Sequence, residues 1–291
     1  MIFKSPNNPN SHLTVKVRTK MSLPTKVLIE QNKLHGKILD FGCGMGKDVD
    51  LLKNRGLDIT GYDPYYFKDT PKDRYDTIIC NYVLNILLQE EQVSVLMLIS
   101  ELLKPEGRAY FAVRRDIKRN RFIYNPKHKV TTYQCNVILP FKSIFKTDNC
   151  EIYEYQHYTT LNIGKEAISP FFTGNEIRKL VTESATAFSI LDKYPVSNGH
   201  SLVIPKRKVS DFFKLSNHEQ NACLIMVNRV RNILLAQFKP QGFNIGINDG
   251  IIAGQSIKHA HIHIIPRYPK DVPDPEGGIR NVIPLKGKYY I

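Results

Sequence analysis

The chain lacks any apolar run near the roughly 20 residues that cross a bilayer, which excludes a helical membrane protein. It also lacks a Cys-x-x-Cys pair. Its five cysteines (Cys43, Cys80, Cys135, Cys150, Cys223) are odd in number and scattered, which argues against a disulfide framework and a structural zinc site and fits a reducing cytoplasm. The first residues, Met1 to Arg18, hold no apolar core followed by a small-residue cleavage site, so secretion is not expected. Repeats and low-complexity segments are absent as well. The composition, 42% hydrophobic and 23% charged, excludes wholesale disorder. A length of 291 residues leaves room for two modest domains of roughly 100–200 residues each.

Acidic residues are in short supply. Against 41 Lys and Arg stand 27 Asp and Glu, a net charge of +14. That balance favours polyanionic partners such as nucleic acid, nucleotides or an anionic membrane surface. The excess is shared: 24 basic less 17 acidic residues give +7 over 1–160, and 17 less 10 give +7 over 161–291. The densest run, Arg114 to Lys129, holds seven basic residues (Arg114, Arg115, Lys118, Arg119, Arg121, Lys127, Lys129) and one acid, Asp116. Such a run reads either as a solvated face or as a track for nucleic acid.

In the first half, strands alternate with helices. Helices are expected over 25–34, 47–54 and 93–103, and strands over 37–41, 58–62, 76–83 and 108–113, with closing strands around 131–139 and 151–160. This order predicts an α/β domain with a mostly parallel sheet and helices on its faces. A weaker zone, Leu161 to Gly174, contains Gly164 and Pro170 and reads as a linker. Beyond it come a helix, strands over 187–191 and 200–205, a long helix over 217–238, and strands over 242–248 and 258–265. That is an α+β module on an antiparallel sheet. The expected division is a first domain over 1–160, a linker over 161–174 and a second domain over 175–291.

The most informative stretch is His259-Ala260-His261-Ile262-His263-Ile264-Ile265. Strand alternation sends the three imidazoles to one face and Ala260, Ile262 and Ile264 to the other. Imidazoles so placed need partners if they are buried. One ion shared by all three is disfavoured, because His259 and His263 would lie about 13 Å apart at roughly 3.3 Å per residue. No cluster of further Cys or His stands nearby, so no metal is expected. Aligned imidazoles do suit phosphate chemistry, one attacking phosphorus and others donating to its oxygens, with a pKa near neutrality. Gly254-Gln255-Ser256, just before the strand, offers an anion permissive backbone and two hydrogen-bonding side chains, and Gly199-His200 opens another strand with a fourth histidine.

The His-x-His-x-His-x-x form resembles the histidine triad (HIT) superfamily. The resemblance extends to the stretch from Asp192 to Lys206, similar to that family's nucleotide-pocket hairpin, and to Asn248-Asp249-Gly250 with Ala253 to His259, similar to the approach to the triad in fragile-histidine-triad-type hydrolases. The tail, Asp271 to Tyr289, is similar to that of bacterial HIT proteins, and the likeness covers about residues 175–289. It implies that His261 is the nucleophile, carrying a nucleoside monophosphate as a phosphoramidate. His259 and His263 would orient it and contact phosphate oxygens, His200 would support the triad, and Asp192 would bind the ribose hydroxyls. Asn248, Gln255 and Ser256 would hold the α-phosphate and leaving group. A histidine at the third triad position resembles the hydrolase branch more than the nucleotidylyl-transferase branch. Many bacterial relatives begin with a zinc-binding Cys-x-x-Cys, which is missing over Pro170 to Asn175, so no zinc is expected. HIT relatives are commonly dimers, which implies a homodimer through this half.

A second motif, Asp40-Phe41-Gly42-Cys43-Gly44-Met45-Gly46, follows a strand and opens a helix, the context for close backbone approach to a ligand. Asp63 ends the next strand 21 residues after Gly42, where an acid takes the hydroxyls of an adenosine ribose. A dinucleotide fits that pattern too. The acid before the first glycine resembles the first motif of class I S-adenosylmethionine-dependent methyltransferases. Tyr62-Asp63-Pro64, Asp76 to Asn85 and Leu102 to Gly107 concur, and Arg18 to Ser22 with Asp63 to Tyr66 resembles methyltransferase-like proteins associated with DNA phosphorothioation. The likeness implies S-adenosylmethionine as cofactor. Gly42, Gly44 and Gly46, with Asp40 ahead of them, would line its methionine end, Asp63 its ribose, and Asn81 the pocket edge. Only about a dozen residues separate Asp63 from Asp76, so the usual helix and third strand are missing and the domain is a reduced one. No Asn-Pro-Pro-Tyr-like motif points to an exocyclic base nitrogen as acceptor.

Two readings follow. The first is a bifunctional cytoplasmic enzyme without a membrane partner: a reduced Rossmann-like α/β methyltransferase domain, then an α+β HIT domain that hydrolyses a dinucleoside polyphosphate or a nucleoside phosphoramidate. The second is a nucleic-acid-binding or nucleotide-sensing protein with a degenerate methyltransferase-like domain, or a HIT deadenylase of nucleic-acid ends. The cysteines read as small core residues rather than nucleophiles.

Overall fold

A computed structural model describes residues 7–173, 179–284 and 286–287. The expected second-domain start at Asn175 and parts of the Asp271 to Tyr289 tail lie outside these. The chain divides into two compact units, Met1–Thr160 and Leu161–Ile291. Among the described residues no helix is long and apolar enough to cross a membrane.

The first unit is built on strands β1 (Ile38–Phe41), β2 (Ile59–Tyr62), β3 (Tyr75–Asn81), β4 (Leu103–Arg114), β7 (Lys142–Lys146) and β8 (Cys150–Tyr155), with helices α1 (Leu23–Glu30), α2 (Lys47–Lys53) and α3 (Gln89–Leu102). The sheet order is β2-β1-β3-β4-β8-β7. The first four strands are parallel, and β8 and β7 close the sheet antiparallel. Every side chain of β1 is buried, as expected of a central parallel strand covered on both faces. Ile38, Ile59, Ile79 and Leu52 meet Val27, Leu28 and Val49 in the core. Beyond β2 the chain makes a bridge between Asp63 and Phe67 and reaches β3 with no further helix or strand, so β2 is the sheet edge.

Two expectations need correction here. The closing strands are β7 and β8, whereas Thr131 to Leu139 contributes only β6 (Val130–Gln134), which pairs with β5 (Arg121–Asn125) in a separate hairpin. The cause lies at Asn85. Its backbone carbonyl accepts from the Cys135 amide (2.8 Å), its Nδ2 donates to Cys135 O (2.8 Å), and its Oδ1 accepts from the Arg114 amide (2.7 Å). These bonds take the chain after β6 away from the sheet and tie the hairpin to the end of β4. The basic run also resolves into parts. Arg114 forks onto Asp116, and Arg115, nearly buried, pairs with Glu151 at 2.6 Å, so both serve the fold.

The second unit is a five-stranded antiparallel sheet, β12-β13-β11-β10-β9, made of β9 (Leu180–Glu183), β10 (Ala187–Leu191), β11 (Ser201–Pro205), β12 (Gly242–Ile247) and β13 (Ile262–Arg267). A helix was expected ahead of β10. The described part of that stretch is β9 instead, because Thr182 and Glu183 are buried in the ladder with β10. Helix α4 (Asn217–Phe238) covers the sheet with Ala222, Cys223, Met226, Val230 and Leu234. Those positions recur at helical spacing and are therefore one face. A capping box of Ser216 and Glu219 starts the helix, and Lys239 in the left-handed region (φ 52°) ends it. The segment expected to link the halves is partly core, since Ser169, Phe171 and Phe172 are buried.

Removing the Asn85 side chain leaves the Arg114 amide without its acceptor inside the protein, at a cost of about 1–3 kcal/mol. Asn85→Ala should accelerate hydrogen exchange across β5 and β6 while exchange in β10 and β11 stays as it was. Unchanged exchange in the hairpin would contradict its anchoring role.

Candidate functional site

In the second unit, β13 begins only at Ile262, because the Ala260 amide donates to Val209 O (2.6 Å) rather than to the ladder. His259 and His261 thus precede the strand, and only His263 lies in it. Residues 259–262 are all buried rather than alternating, yet the His261 and His263 rings are 4.8 Å apart and those of His200 and His263 5.3 Å.

Hydrogen bonds fix where each ring carries its proton. The Val196 amide can only donate, so His200 Nδ1 accepts (3.3 Å). The proton of His200 therefore sits on Nε2, 3.1 Å from His263 Nδ1, and His263 in turn carries its own on Nε2. His261 Nδ1 lies 2.8 Å from the carbonyl of His259, which can only accept, so Nδ1 is the protonated nitrogen and the Nε2 lone pair is free. His259 donates from Nε2 to the carbonyl of Pro205 (2.8 Å), and its Nδ1 accepts from the hydroxyl of Ser169 (2.8 Å). His259 is fully buried with both nitrogens occupied, so it holds the loop that presents His261 and has no nitrogen left for a phosphate oxygen.

Burial lowers the pKa of His259 to about 4 against the backbone hydrogen bonds that oppose the shift, and burial with the neighbouring His261 and His200 takes His263 to about 4. Burial also lowers His200, with Asp192 pulling the other way.

Asp192, expected at the ribose hydroxyls, has Oδ2 3.6 Å from His200 Nε2, and its Oδ1 accepts from the Tyr194 amide. Asp192, His200 and His263 bring three ligand atoms within 4.8 Å of one another and could hold a metal ion. Gln255, expected to hold phosphate, ties its loop to the segment after β11, donating to Ser210 O and accepting from the Gly250 amide. Ser256 is exposed on that loop, and half-buried Asn248 follows β12. Sequence reasoning missed Ser169 and Phe171, whose ring stands edge-on to His261 at 5.3 Å. The apolar cluster Pro170-Phe171-Phe172 was their signal.

The first unit has a cavity of about 1100 Å³ at the carboxyl ends of β1 and β3, lined by Asp40, Gly42, Gly44, Asp63, Asn81 and Arg114 among others. Gly42 has φ +78° and a Cβ there would collide with Val83; Gly46 has φ +76° and opens α2. Asp63, expected at a ribose, has Oδ2 on the Gly44 amide (3.1 Å) and Oδ1 on the Tyr65 and Tyr66 amides, so it fastens the glycine turn to the end of β2. Asp48, missed by sequence reasoning, is buried and accepts from Arg18, Ser22 and Thr25. Burial works to raise its pKa, but those bonds prevail and hold it below the usual range. Burial, then the charges of Asp48 and Asp63, raises Asp40 to about 8. Asn81 donates to Thr25 (3.0 Å), and among the described residues its buried Oδ1 has no partner. Asp40 and Asn81 together fit a ligand that presents an N–H donor at that end. The cysteines are buried and free, with Cys223 pushed up by burial to about 12 and Cys135 to about 11, so neither is a ready nucleophile.

Comparison with known proteins agrees with both halves. A HIT domain model matches residues 174–270 and a methyltransferase domain model matches residues 14–138. A HIT-like protein of Methanocaldococcus jannaschii is 36% identical over 93 residues, 32% of this chain and 71% of that protein. The chain belongs to the HIT family. A HIT-like protein of Mycoplasma genitalium is 39% identical over 88 residues, 30% of this chain and 62% of the relative. The asymmetrical bis(5'-nucleosyl)-tetraphosphatase of Schizosaccharomyces pombe is 40% identical over 77 residues, 26% of this chain and 42% of that enzyme. The chain thus spans under two thirds of these last two relatives, and it combines its HIT domain with a methyltransferase domain.

The pKa of His259 near 4 lies below the ordinary histidine value of 6.5. The unfolded chain therefore binds a proton in that window that the folded chain refuses. Stability of the HIT half should be complete above pH 6.5 and decline as pH falls towards 4. Hydrogen exchange at β13 should register that decline, and His259→Gln should make it shallower without removing it, because His263 and His200 are lowered in the same direction. A wild-type profile that stays level across this window would contradict the neutral buried imidazole.

Proposed function

We propose that the HIT unit hydrolyses a nucleoside–phosphate linkage, of dinucleoside polyphosphate or nucleoside phosphoramidate type, through a covalent nucleotidyl-His261 intermediate. The observation that carries this reading is the committed tautomer of His261. With Nδ1–H held on the His259 carbonyl, the Nε2 lone pair is the group free to attack phosphorus. In the first step the Nε2–P bond forms and the bond from phosphorus to the bridging atom breaks, releasing the leaving group with its electron pair, an amine leaving group taking up a proton from solvent. The His259 carbonyl stabilises the positive ring that results. In the second step water attacks phosphorus, the P–N bond breaks, nucleoside monophosphate departs, and the proton lost by water passes to solvent. His263, protonated on Nε2, donates to a non-bridging oxygen. His200 holds His263 in that tautomer, and Asp192 lies against His200. His259 and Ser169 act as positioning residues. The tetraphosphatase name of the fission-yeast relative supports a polyphosphate-bridged substrate.

For the methyltransferase domain, over 1–160, we infer S-adenosylmethionine as the methyl donor. When bound it supplies the electrophilic methyl group. Asp40 and the unpartnered Asn81 Oδ1 would accept from its amino group, beside the backbone of Gly42 and Gly44. Asp63 would act by holding the glycine turn in shape.

Wild-type and variant proteins should be compared for nucleoside monophosphate release from diadenosine polyphosphates and adenosine phosphoramidate. His261→Ala should lose at least about a thousandfold in kcat, and His263→Ala roughly a hundredfold. A nucleotidyl adduct trapped in wild type should be missing from His261→Ala. Retained turnover in the His261 variant would sink the assignment.

A further inference from the structure

The β5–β6 hairpin departs from what a hairpin needs for its own stability. Phe122 is 49% exposed and Tyr124 60% exposed, both on β5. Rings on a short two-stranded ribbon ordinarily turn towards a core, because that is where their apolar area is removed from water. Here the ring of Phe122 lies against the tilted ring of its cross-strand neighbour Tyr133, at 5.2 Å, and Tyr124 forms part of the cavity wall. Five cations surround these rings: Lys118, Arg119 and Arg121 lead into the hairpin, and Lys127 and Lys129 flank its tip. All five are exposed, and among the described residues none has a carboxylate partner, unlike Arg114 and Arg115. Unpaired cations flanking exposed rings are the chemistry of a backbone-tracking, base-stacking surface.

The spacing selects the form of the polyanion. Phe122 and Tyr124 are two residues apart, about 6.6 Å along a strand. That is nearly twice the roughly 3.4 Å per nucleotide of a duplex strand. Bases can reach both rings only when the chain is unstacked and extended, and a duplex keeps its base faces hidden. The cavity beside the hairpin holds about 1100 Å³, above the roughly 300–1,000 Å³ that a single ligand pocket occupies. It therefore has room for an acceptor nucleotide next to a cofactor. The hairpin is also held in place, through the Asn85 bonds to Cys135 and Arg114.

We infer that the β5–β6 hairpin is a platform for single-stranded nucleic acid, which it leads to the cavity of the methyltransferase domain as the class of methyl acceptor. The platform stands on the hairpin alone. The acceptor role rests on the methyl-transfer reading above.

Fluorescence anisotropy of the full chain with labelled single-stranded DNA and RNA of about 20 nucleotides, and with a duplex of equal length, tests this. Single strands should bind more tightly than the duplex, and the DNA and RNA arms identify the natural source. Affinity should fall steeply between roughly 50 and 200 mM salt. The double variant Phe122→Ala/Tyr124→Ala should lose at least about tenfold in affinity. Lys127→Ala/Lys129→Ala should make the logarithmic salt slope shallower by about 1.4. Equal binding of the duplex, indifference to both variants, or binding to phosphatidylserine vesicles with none to oligonucleotides would overturn the platform. S-adenosylmethionine binding, measured separately by calorimetry, keeps the two failures apart. Oligonucleotide binding without cofactor binding sinks the acceptor role and leaves the platform, whereas cofactor binding without oligonucleotide binding sinks the platform.

Discussion

The chemistry proposed for the HIT half depends on one hydrogen bond, from Nδ1 of His261 to the carbonyl of His259. A carbonyl oxygen offers no proton, so the bond decides the tautomer, and the tautomer decides which nitrogen is a nucleophile. Everything around it preserves that carbonyl's position. The His259 side chain is clamped between Ser169 and Pro205, and the Ala260 amide is drawn to Val209 instead of the sheet. The resulting departure from strand geometry is small in extent and large in consequence, since a His259 residue held in the β13 ladder would engage its carbonyl there. Burial reinforces the arrangement by making a charged His259 costly, so the clamp is strongest where the imidazole is neutral.

The methyltransferase domain follows a parallel logic with different parts. The glycine turn is a shape that needs positive φ, and Asp63 holds it closed from the neighbouring strand with backbone hydrogen bonds. A sheet that ends at β2 exposes one flank of the fold, yet the strand ends that build the cavity, β1 and β3, are central and fully paired. Loss of an outer strand therefore leaves the cavity floor intact. Its walls come from the segment before α1 and from the hairpin, elements outside the sheet altogether.

Local signals made much of this legible in the sequence. Helix α4 was readable at both ends because Ser216 and Glu219 mark its start and an apolar stripe of helical period runs its length. The glycine turn and the triad were readable because each concentrates unusual residues in a few positions. What escaped were contacts made by ordinary residues far apart in the chain. Ser169 reaches His259 across 90 positions, and Asp48 draws on Arg18, Ser22 and Thr25. Asp48 carries no local mark, and Ser169 only the apolar cluster that follows it. The hairpin was misread for a related reason: residues 131–139 have good strand composition, but composition does not say which strand accepts them, and Asn85 sends them elsewhere.

The tautomer of His261 can be read directly. Long-range ¹H–¹⁵N correlation of the ¹⁵N-histidine-labelled full chain at neutral pH distinguishes a protonated ring nitrogen from one with a free lone pair. The structure predicts a proton on Nδ1 of His261 with Nε2 bare, and a proton on Nε2 of His263. A proton found on Nε2 of His261 would contradict the account, because the atom assigned to attack phosphorus would have no lone pair to offer.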